Sequence, residues 1–182
     1  MMKLKKRGLV VAAVPALLVL ALAGAYASGV VGHRSGGAGH SVVAAFTERD
    51  VAVEIAVERD TAGKTWLAGR FTPTRPGFHL YGKDLPKGGI DGIGQPTLME
   101  IVSSPALKAA GPLTADRATS DLHIPLLGLT FPVYPAGPVT LRQPVTVAAG
   151  AREAELSVTY MSCSESNCLA PAIGRRVSIA LP

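Results

Sequence analysis

Cysteine is scarce in this chain, because Cys163 and Cys168 are the only two among its 182 residues. Four residues separate them, within the stretch Thr159-Tyr-Met-Ser-Cys-Ser-Glu-Ser-Asn-Cys-Leu-Ala-Pro171. The cysteine count alone does not decide between a redox-active pair and an inert bridge. The decision depends on where the two residues lie and in which compartment.

A surplus of positive charge is absent beyond the first few residues. Four of the 18 Lys and Arg are Lys3, Lys5, Lys6 and Arg7, and the remaining 14 are balanced by 13 Asp and Glu, a net charge of +1. No basic stripe with interleaved aromatic residues remains. We therefore expect no nucleic-acid partner.

The start of the chain predicts the compartment. The basic residues at 3–7 precede an uninterrupted apolar stretch at 9–23, and Ala25-Tyr-Ala27 fits the small-residue rule for signal cleavage. Residues 1–27 are therefore expected to form a signal peptide. They could also remain as a signal anchor, because residues 9–27 approach the roughly 20 residues that span a bilayer. Either way, we expect an extracytoplasmic domain (periplasmic, secreted, or membrane-anchored and facing outward), where disulfides persist. Contact with a membrane is expected only through this segment, if it is uncleaved.

No sustained helical period follows the signal. Residues 28–47 are rich in Gly and Ser and predict a flexible linker, disordered over 28–41, so the domain is expected to span 48–182. Period-2 runs or short apolar segments punctuated by Pro and Gly predict strands at 51–58, 66–71, 78–81, 97–102, 139–147, 153–160 and 176–181. This pattern indicates an all-β, antiparallel β-sandwich, with Trp66 in its core.

The two cysteines are expected at the mouth of one β-hairpin. Ser164, Glu165, Ser166 and Asn167 separate them, and Ser and Asn favour turns because they hydrogen-bond their own backbone. Such a loop would place its flanking Cα atoms opposite each other at about 4.5–5.5 Å, within the range of a disulfide. A bridge there would close a loop of only about six residues and add roughly 2 kcal/mol in the chain-entropy model. This small gain favours a redox pair over an inert clip, and both interpretations stay open.

Three stretches carry a resemblance to a known family. They are Pro76-Gly-Phe-His-Leu-Tyr-Gly-Lys83, Pro138-Val-Thr-Leu-Arg-Gln-Pro-Val145, and Val158-Thr-Tyr-Met-Ser-Cys163 continuing to Cys168-Leu-Ala-Pro171. Over residues 51–181 the chain resembles the amino-terminal, immunoglobulin-like domain of the thiol–disulfide interchange protein DsbD family. The cysteine-containing stretch is the most specific of the three.

The resemblance implies an extracytoplasmic electron carrier. A carrier of this kind accepts electrons from a polytopic membrane thiol reductase and passes them to thioredoxin-fold proteins. Cys163 and Cys168 match the family's redox pair, and Tyr81 matches an aromatic residue beside it. The family's cap loop corresponds to the region 129–134, where Phe131 or Tyr134 would supply the capping ring.

The chain also departs from the family pattern. Its cysteine loop is one residue shorter than in the best-known member, and neither the membrane domain nor the thioredoxin-like domain of DsbD is present in the sequence. The expected reductase is therefore a separate protein. The protein could instead serve another branch of the same chemistry, the delivery of reductant to cytochrome c biogenesis.

If the pair is active, the reaction is thiol–disulfide interchange through a mixed disulfide. No Lys, Arg or His lies within three residues of either cysteine, and Glu165 lies between them, so nothing local depresses a thiol pKa. We therefore expect a modest nucleophile that depends on a partner to open the site. Cys168 is expected to form the mixed disulfide, because it opens the return strand and the family resemblance favours it.

Two other functions stay open on the same residues. Met161, Cys163 and Cys168 could bind Cu(I) through sulfur, with Met99 or His79 completing the site. The domain could also be an interaction module whose disulfide is inert. No cofactor is expected apart from copper in the first of these alternatives.

Overall fold

The computed structural model describes residues 39–102 and 104–182, which form β-strands, turns and loops without any helix. The predicted signal segment and residues 28–38 of the predicted linker lie outside the described residues. No helix of the described part of the chain is long and apolar enough to cross a membrane. The strands, in chain order, are β1 His40–Glu48, β2 Val51–Arg59, β3 Thr65–Pro73, β4 His79–Leu80, β5 Leu98–Ile101, β6 Leu107–Ala109, β7 Thr114–Ala115, β8 Ser120–Ile124, β9 Leu129–Val133, β10 Val139–Val147, β11 Glu153–Tyr160, β12 Ser162–Cys163 and β13 Ala172–Ala180.

The larger sheet contains six strands, in the order β1-β2-β3-β10-β6 with β7 also paired to β10. Every pairing in it is antiparallel. In β2 the residues Val51, Val53 and Ile55 are fully buried while Glu54 is exposed, so the period-2 pattern of the sequence directs one face inward.

A second sheet has the order β13-β11-β5 and is also antiparallel. One hydrophobic cluster joins the two sheets: Val53, Leu67 and Leu141 of the first pack with Leu156 and Ile179 of the second. The fold is therefore the all-β, antiparallel β-sandwich that the sequence predicts.

Two short ribbons lie outside the two main sheets. The strand β12 pairs with β4, and β8 pairs with β9 as a hairpin. A single bridge between Tyr81 and Val133 connects the chain after β4 to the end of β9. These ribbons bring the two cysteines and the predicted cap region into one part of the molecule.

The structure corrects the boundary of the predicted linker, because the nine residues from His40 to Glu48 form β1. This strand pairs with β2 through the two-residue turn Arg49–Asp50, in which φ is 50° and 54°. Positive φ at both positions is the geometry of a type I′ turn, which is usually signalled by Asn-Gly or Asp-Gly. The run Val42-Val-Ala-Ala45 has no period-2 pattern, so neither the strand nor its turn is visible in the sequence.

Trp66 is not in the core, contrary to prediction. Trp66 is half-buried. Its indole Nε1 donates to Asp60 Oδ2 at 3.4 Å, and Lys64 Nζ lies 4.2 Å from the centroid of its ring. In the alternation of β3, Leu67 rather than Trp66 faces the sandwich interior. Trp66 therefore packs on the outer side of the larger sheet.

Tyr160, at the end of the central strand β11 of the smaller sheet, joins this sheet to the edge strand β1 of the larger one. Its hydroxyl donates to the backbone carbonyl of Glu48 at the end of β1, with an O···O distance of 3.0 Å. Burial, and then the negative charge of Glu48, raises the pKa of Tyr160 to about 12, so the hydroxyl stays protonated and able to donate. Arg175 of β13 forms an ion pair with the same Glu48 and lies over the ring of Phe46.

Replacing Tyr160 by Phe should lower the free energy of unfolding by about 1 kcal/mol, because the partly buried hydrogen bond between the sheets is lost while the ring is kept. Urea unfolding of the oxidised protein measures the change. The control Ser178→Ala alters an exposed residue of β13 and should stay within about 0.5 kcal/mol of the parent. Equal stabilities of the Tyr160 variant and the control would contradict the stabilising role given to the Tyr160–Glu48 hydrogen bond.

Candidate functional site: the Cys163–Cys168 bridge

Cys163 and Cys168 form a disulfide in the structure, with an S–S distance of 2.05 Å. Their backbones pair as an isolated antiparallel bridge, and their Cα atoms are 4.1 Å apart. The two residues therefore lie directly opposite each other, as the short loop predicts, at a slightly smaller separation than expected.

The loop between the cysteines is held by its own polar groups. Ser164 Oγ accepts hydrogen bonds from the backbone N–H groups of Ser166 and Asn167, at 3.4 and 3.1 Å. The N–H of Ser164 donates to the carbonyl of Asn167 at 2.7 Å, and the N–H of Leu169 donates to the carbonyl of Ser162 at 3.0 Å. The turn therefore has hydrogen bonds that do not depend on the disulfide.

The environment of the hairpin differs from the prediction in one respect. The chain leaves β11 after Tyr160, and Cys163 lies in β12, which pairs with β4 rather than with β13. Cys168 precedes the return strand β13 by several residues and does not open it as predicted. The bridge therefore lies on a separate ribbon beside the sandwich.

The two sulfur-bearing residues differ sharply in exposure. Cys163 is 1% exposed, whereas Cys168 belongs to the exposed turn that begins at Glu165. A thiolate from solvent or from a partner therefore meets Cys168 first. Attack there would release Cys163 as the leaving group, inside the protein.

Cys163 is packed in a second hydrophobic cluster, distinct from the sandwich core. Its buried members are Tyr81, Leu85, Phe131, Val133 and Cys163, and its half-buried members are Ile90, Ile93, Leu122, Ile124, Leu129 and Met161. The hairpin β8–β9 supplies several of these residues, so it packs against the buried side of the bridge. At the tip of this hairpin Leu126 is 95% exposed.

Tyr81 lies against the buried sulfur. Its hydroxyl oxygen is 3.5 Å from Cys163 Sγ, and its ring packs edge to face with Phe131 at a centroid distance of 5.5 Å. Burial raises the pKa of Tyr81, so the hydroxyl is protonated and can donate to sulfur. Two of the three aromatic residues predicted to support the site, Tyr81 and Phe131, are thus brought together with Cys163.

The third predicted aromatic residue, Tyr134, lies elsewhere. It is 2% exposed within the sandwich core, and its hydroxyl accepts the backbone N–H of Lys83 at 3.2 Å. Burial raises its pKa as well. Phe131 and Tyr134 are three residues apart along the chain, yet they belong to different clusters.

His79, which the sequence names only as a possible copper ligand, lies on the same ribbon as Cys163. It stands directly opposite Cys163 in the β4–β12 pairing, and its ring packs edge to face with Tyr81 at 6.1 Å. It is 8% exposed, and its Nε2 atom has no hydrogen-bond partner. A buried polar atom without a partner costs about 1–3 kcal/mol. His79 is far from both cysteines along the chain, so only the strand pairing shows that it lies opposite Cys163.

The predicted copper ligands are only partly assembled. Met161 packs against the cluster that contains Cys163. Of the two residues expected to complete the site, His79 lies opposite Cys163 in the β4–β12 pairing, whereas Met99 is buried in the sandwich core. In residues 39–102 and 104–182, no three His, Cys, Asp or Glu side chains form a group that could hold a metal ion.

Comparison with known proteins gives few matches. No protein-family model and no curated protein matches the chain. Among solved structures, it is similar to the N-terminal periplasmic domain of ScsB from Proteus mirabilis, with 12% identity and a TM-score of 0.48, over 79% of this chain and 51% of that one. The GAE domain of GGA2p from Saccharomyces cerevisiae gives 12% identity and a TM-score of 0.39, over 79% and 97% of the two chains. The chain thus spans about half the length of the ScsB structure, and neither similarity assigns a function.

The buried His79 predicts a pH dependence of stability. Burial lowers its pKa from 6.5, and the negative charge of Glu165 acts in the opposite direction. Below about pH 6.5 the unfolded chain therefore binds more protons at this residue than the folded chain does, so stability falls as the pH decreases. Urea unfolding of the oxidised protein at about pH 7.5 and about pH 5.5 should show a larger loss on acidification for the parent than for His79→Phe. Equal losses of stability in the two proteins would refute the attribution of this pH dependence to His79.

Proposed function

We propose that this protein is an extracytoplasmic thiol–disulfide electron carrier in which Cys163 and Cys168 cycle between a disulfide and a dithiol. The observation that carries the proposal is the asymmetry of the bridge, with Cys168 exposed and Cys163 buried beside Tyr81. Reactivity of a cysteine follows its access to solvent as well as its thiolate character. The bridge thus has one sulfur for exchange and one that is shielded.

The location of the bridge supports exchange rather than bracing. A disulfide that closes so short a loop adds roughly 2 kcal/mol in the chain-entropy model. The turn also keeps the hydrogen bonds of Ser164, and Cys163 packs in the second cluster instead of the sandwich core. Reduction should therefore leave the sandwich folded.

The reaction follows from this geometry. A donor thiolate attacks Cys168 Sγ, the Cys163–Cys168 bond breaks, and Cys163 leaves with the electron pair and takes up a proton. The donor's second thiolate then attacks the donor sulfur that is bonded to Cys168 in the mixed disulfide. This forms the donor's disulfide and releases Cys168, which takes up a proton. Two electrons have moved to the carrier and the donor holds a disulfide. The reverse sequence delivers the electrons to an acceptor disulfide.

The partners follow from the resemblance of the cysteine-containing stretch to the DsbD family. A polytopic membrane thiol reductase is the proposed donor, and thioredoxin-fold proteins are the proposed acceptors. The proposed location outside the cytoplasm rests on the predicted signal segment, because that space permits a disulfide to persist.

Capture of a partner tests the proposal. Cys163→Ala leaves the exposed Cys168 as the only thiol, and it should form a covalent complex with a thioredoxin-fold protein that dithiothreitol dissolves. Cys168→Ala leaves the shielded Cys163 and should capture about tenfold less, because access limits the exchange. The variants are expressed in an oxidising compartment, quenched with acid, alkylated and separated on a non-reducing gel.

A variant that lacks both cysteines is the matched control and should capture nothing. A complex formed equally well by both single variants would contradict the proposed order of attack. The absence of any complex, together with stoichiometric Cu(I) binding by the reduced parent, would favour a copper site instead.

A further inference from the structure

Two unpartnered polar atoms lie on the ribbon that carries the bridge. In the described part of the chain, the buried side-chain nitrogen and oxygen atoms without a hydrogen bond are His79 Nε2, Ser162 Oγ and Arg175 Nε. The first two belong to β4 and β12, whereas Arg175 lies in β13, where it pairs with Glu48 of β1. Buried polar atoms are almost always paired, so each exception calls for a physical reason.

The pairing of β4 with β12 places the side chains of His79 and Ser162 on opposite faces of the ribbon. His79 is opposite Cys163, and residues opposite each other in an antiparallel pair project to the same face. Ser162 is next to Cys163 in the same strand, so its side chain projects to the other face. Of the two residues that carry an unpartnered atom, only His79 is therefore on the same face of the ribbon as the Cys163 side chain.

The oxidation state of Cys163 decides what it can offer to that atom. A disulfide sulfur has no proton to donate, and its capacity to accept is weak. A thiol carries an S–H group that can donate to the unprotonated nitrogen of a neutral imidazole, which is Nε2 in the tautomer whose proton is on Nδ1. Reduction breaks the bond that ties Cys163 Sγ to Cys168, so the side chain can rotate toward His79 and supply the partner that Nε2 lacks in the disulfide state.

We propose that His79 is a positioning residue for the reduced state, in which the Cys163 thiol donates a hydrogen bond to His79 Nε2. The inference rests on the proposed carrier function for its biological use, but the hydrogen bond itself is a property of the reduced protein. The Tyr81 hydroxyl, 3.5 Å from the same sulfur, holds Cys163 from a second direction.

The energetic consequence is a bias toward the dithiol. Reduction by glutathione consumes two thiols, forms two thiols in the protein and leaves oxidised glutathione, so atoms and electrons balance. The new hydrogen bond lowers the free energy of the product and removes the cost of an unpartnered nitrogen that the disulfide form bears. His79 should therefore make the protein easier to reduce.

The equilibrium with glutathione measures this bias. His79→Phe should shift the constant toward the disulfide by about fivefold, which corresponds to roughly 20 mV for a two-electron couple. Ser162→Ala is the matched control, because it removes an equally buried unpartnered atom from the opposite face, and it should leave the constant unchanged. His79→Gln retains an acceptor and should recover part of the shift. A constant that moves equally in His79→Phe and Ser162→Ala would overturn the proposal.

The hydrogen bond can also be observed directly. Because the chain has only two cysteines, Cys168→Ala leaves Cys163 as the only thiol. Its S–H stretching band in the infrared spectrum should lie at lower frequency than in the double variant Cys168→Ala/His79→Phe, since a donated hydrogen bond weakens the S–H bond. An unchanged band would refute the hydrogen bond.

The two measurements separate this inference from the proposed function. If the band shifts but no partner is captured by Cys163→Ala, the hydrogen bond exists in a protein that is not a carrier. If a partner is captured but neither the band nor the glutathione equilibrium responds to His79, the carrier stands and the role of His79 fails.

Discussion

The pairing of β12 with β4 is the constraint on which the site depends. It takes the chain away from the sandwich after Tyr160 and places Cys163 opposite His79 and within reach of Tyr81. The register fixes all three on one face, because Tyr81 follows His79 by two residues. A shift of one residue would turn Cys163 away from both rings.

This arrangement divides the molecule into two hydrophobic clusters with different tasks. The sandwich core holds the fold, and its sheets are joined through the Tyr160 hydroxyl and the Arg175–Glu48 ion pair. The second cluster surrounds the buried side of the bridge with the hairpin β8–β9. Cys163 thereby lies outside the cluster that joins the two sheets, as the proposed carrier function would favour.

The sequence predicts the sandwich and the cysteine turn because both depend on local patterns. The alternation of Val51, Val53 and Ile55 and the turn chemistry of Ser164 need only neighbouring residues. The strand β1 is missed because its turn lacks the usual glycine. The sequence names His79 only as a possible copper ligand, because its position opposite Cys163 arises from the pairing of strands far apart in the chain. Phe131 and Tyr134 could not be told apart for the same reason, since only the tertiary structure assigns them to different clusters.

The rate of bridge reduction by a dithiol at increasing urea concentration tests the central claim, which is that the bridge exchanges while the domain remains folded. If Cys168 is attacked in the native state, the rate should be proportional to the dithiol concentration and nearly independent of urea below the unfolding transition. An inert structural disulfide would instead be reduced only through global unfolding. Its rate of reduction would then rise exponentially with urea from the lowest concentrations. The second result would contradict the account.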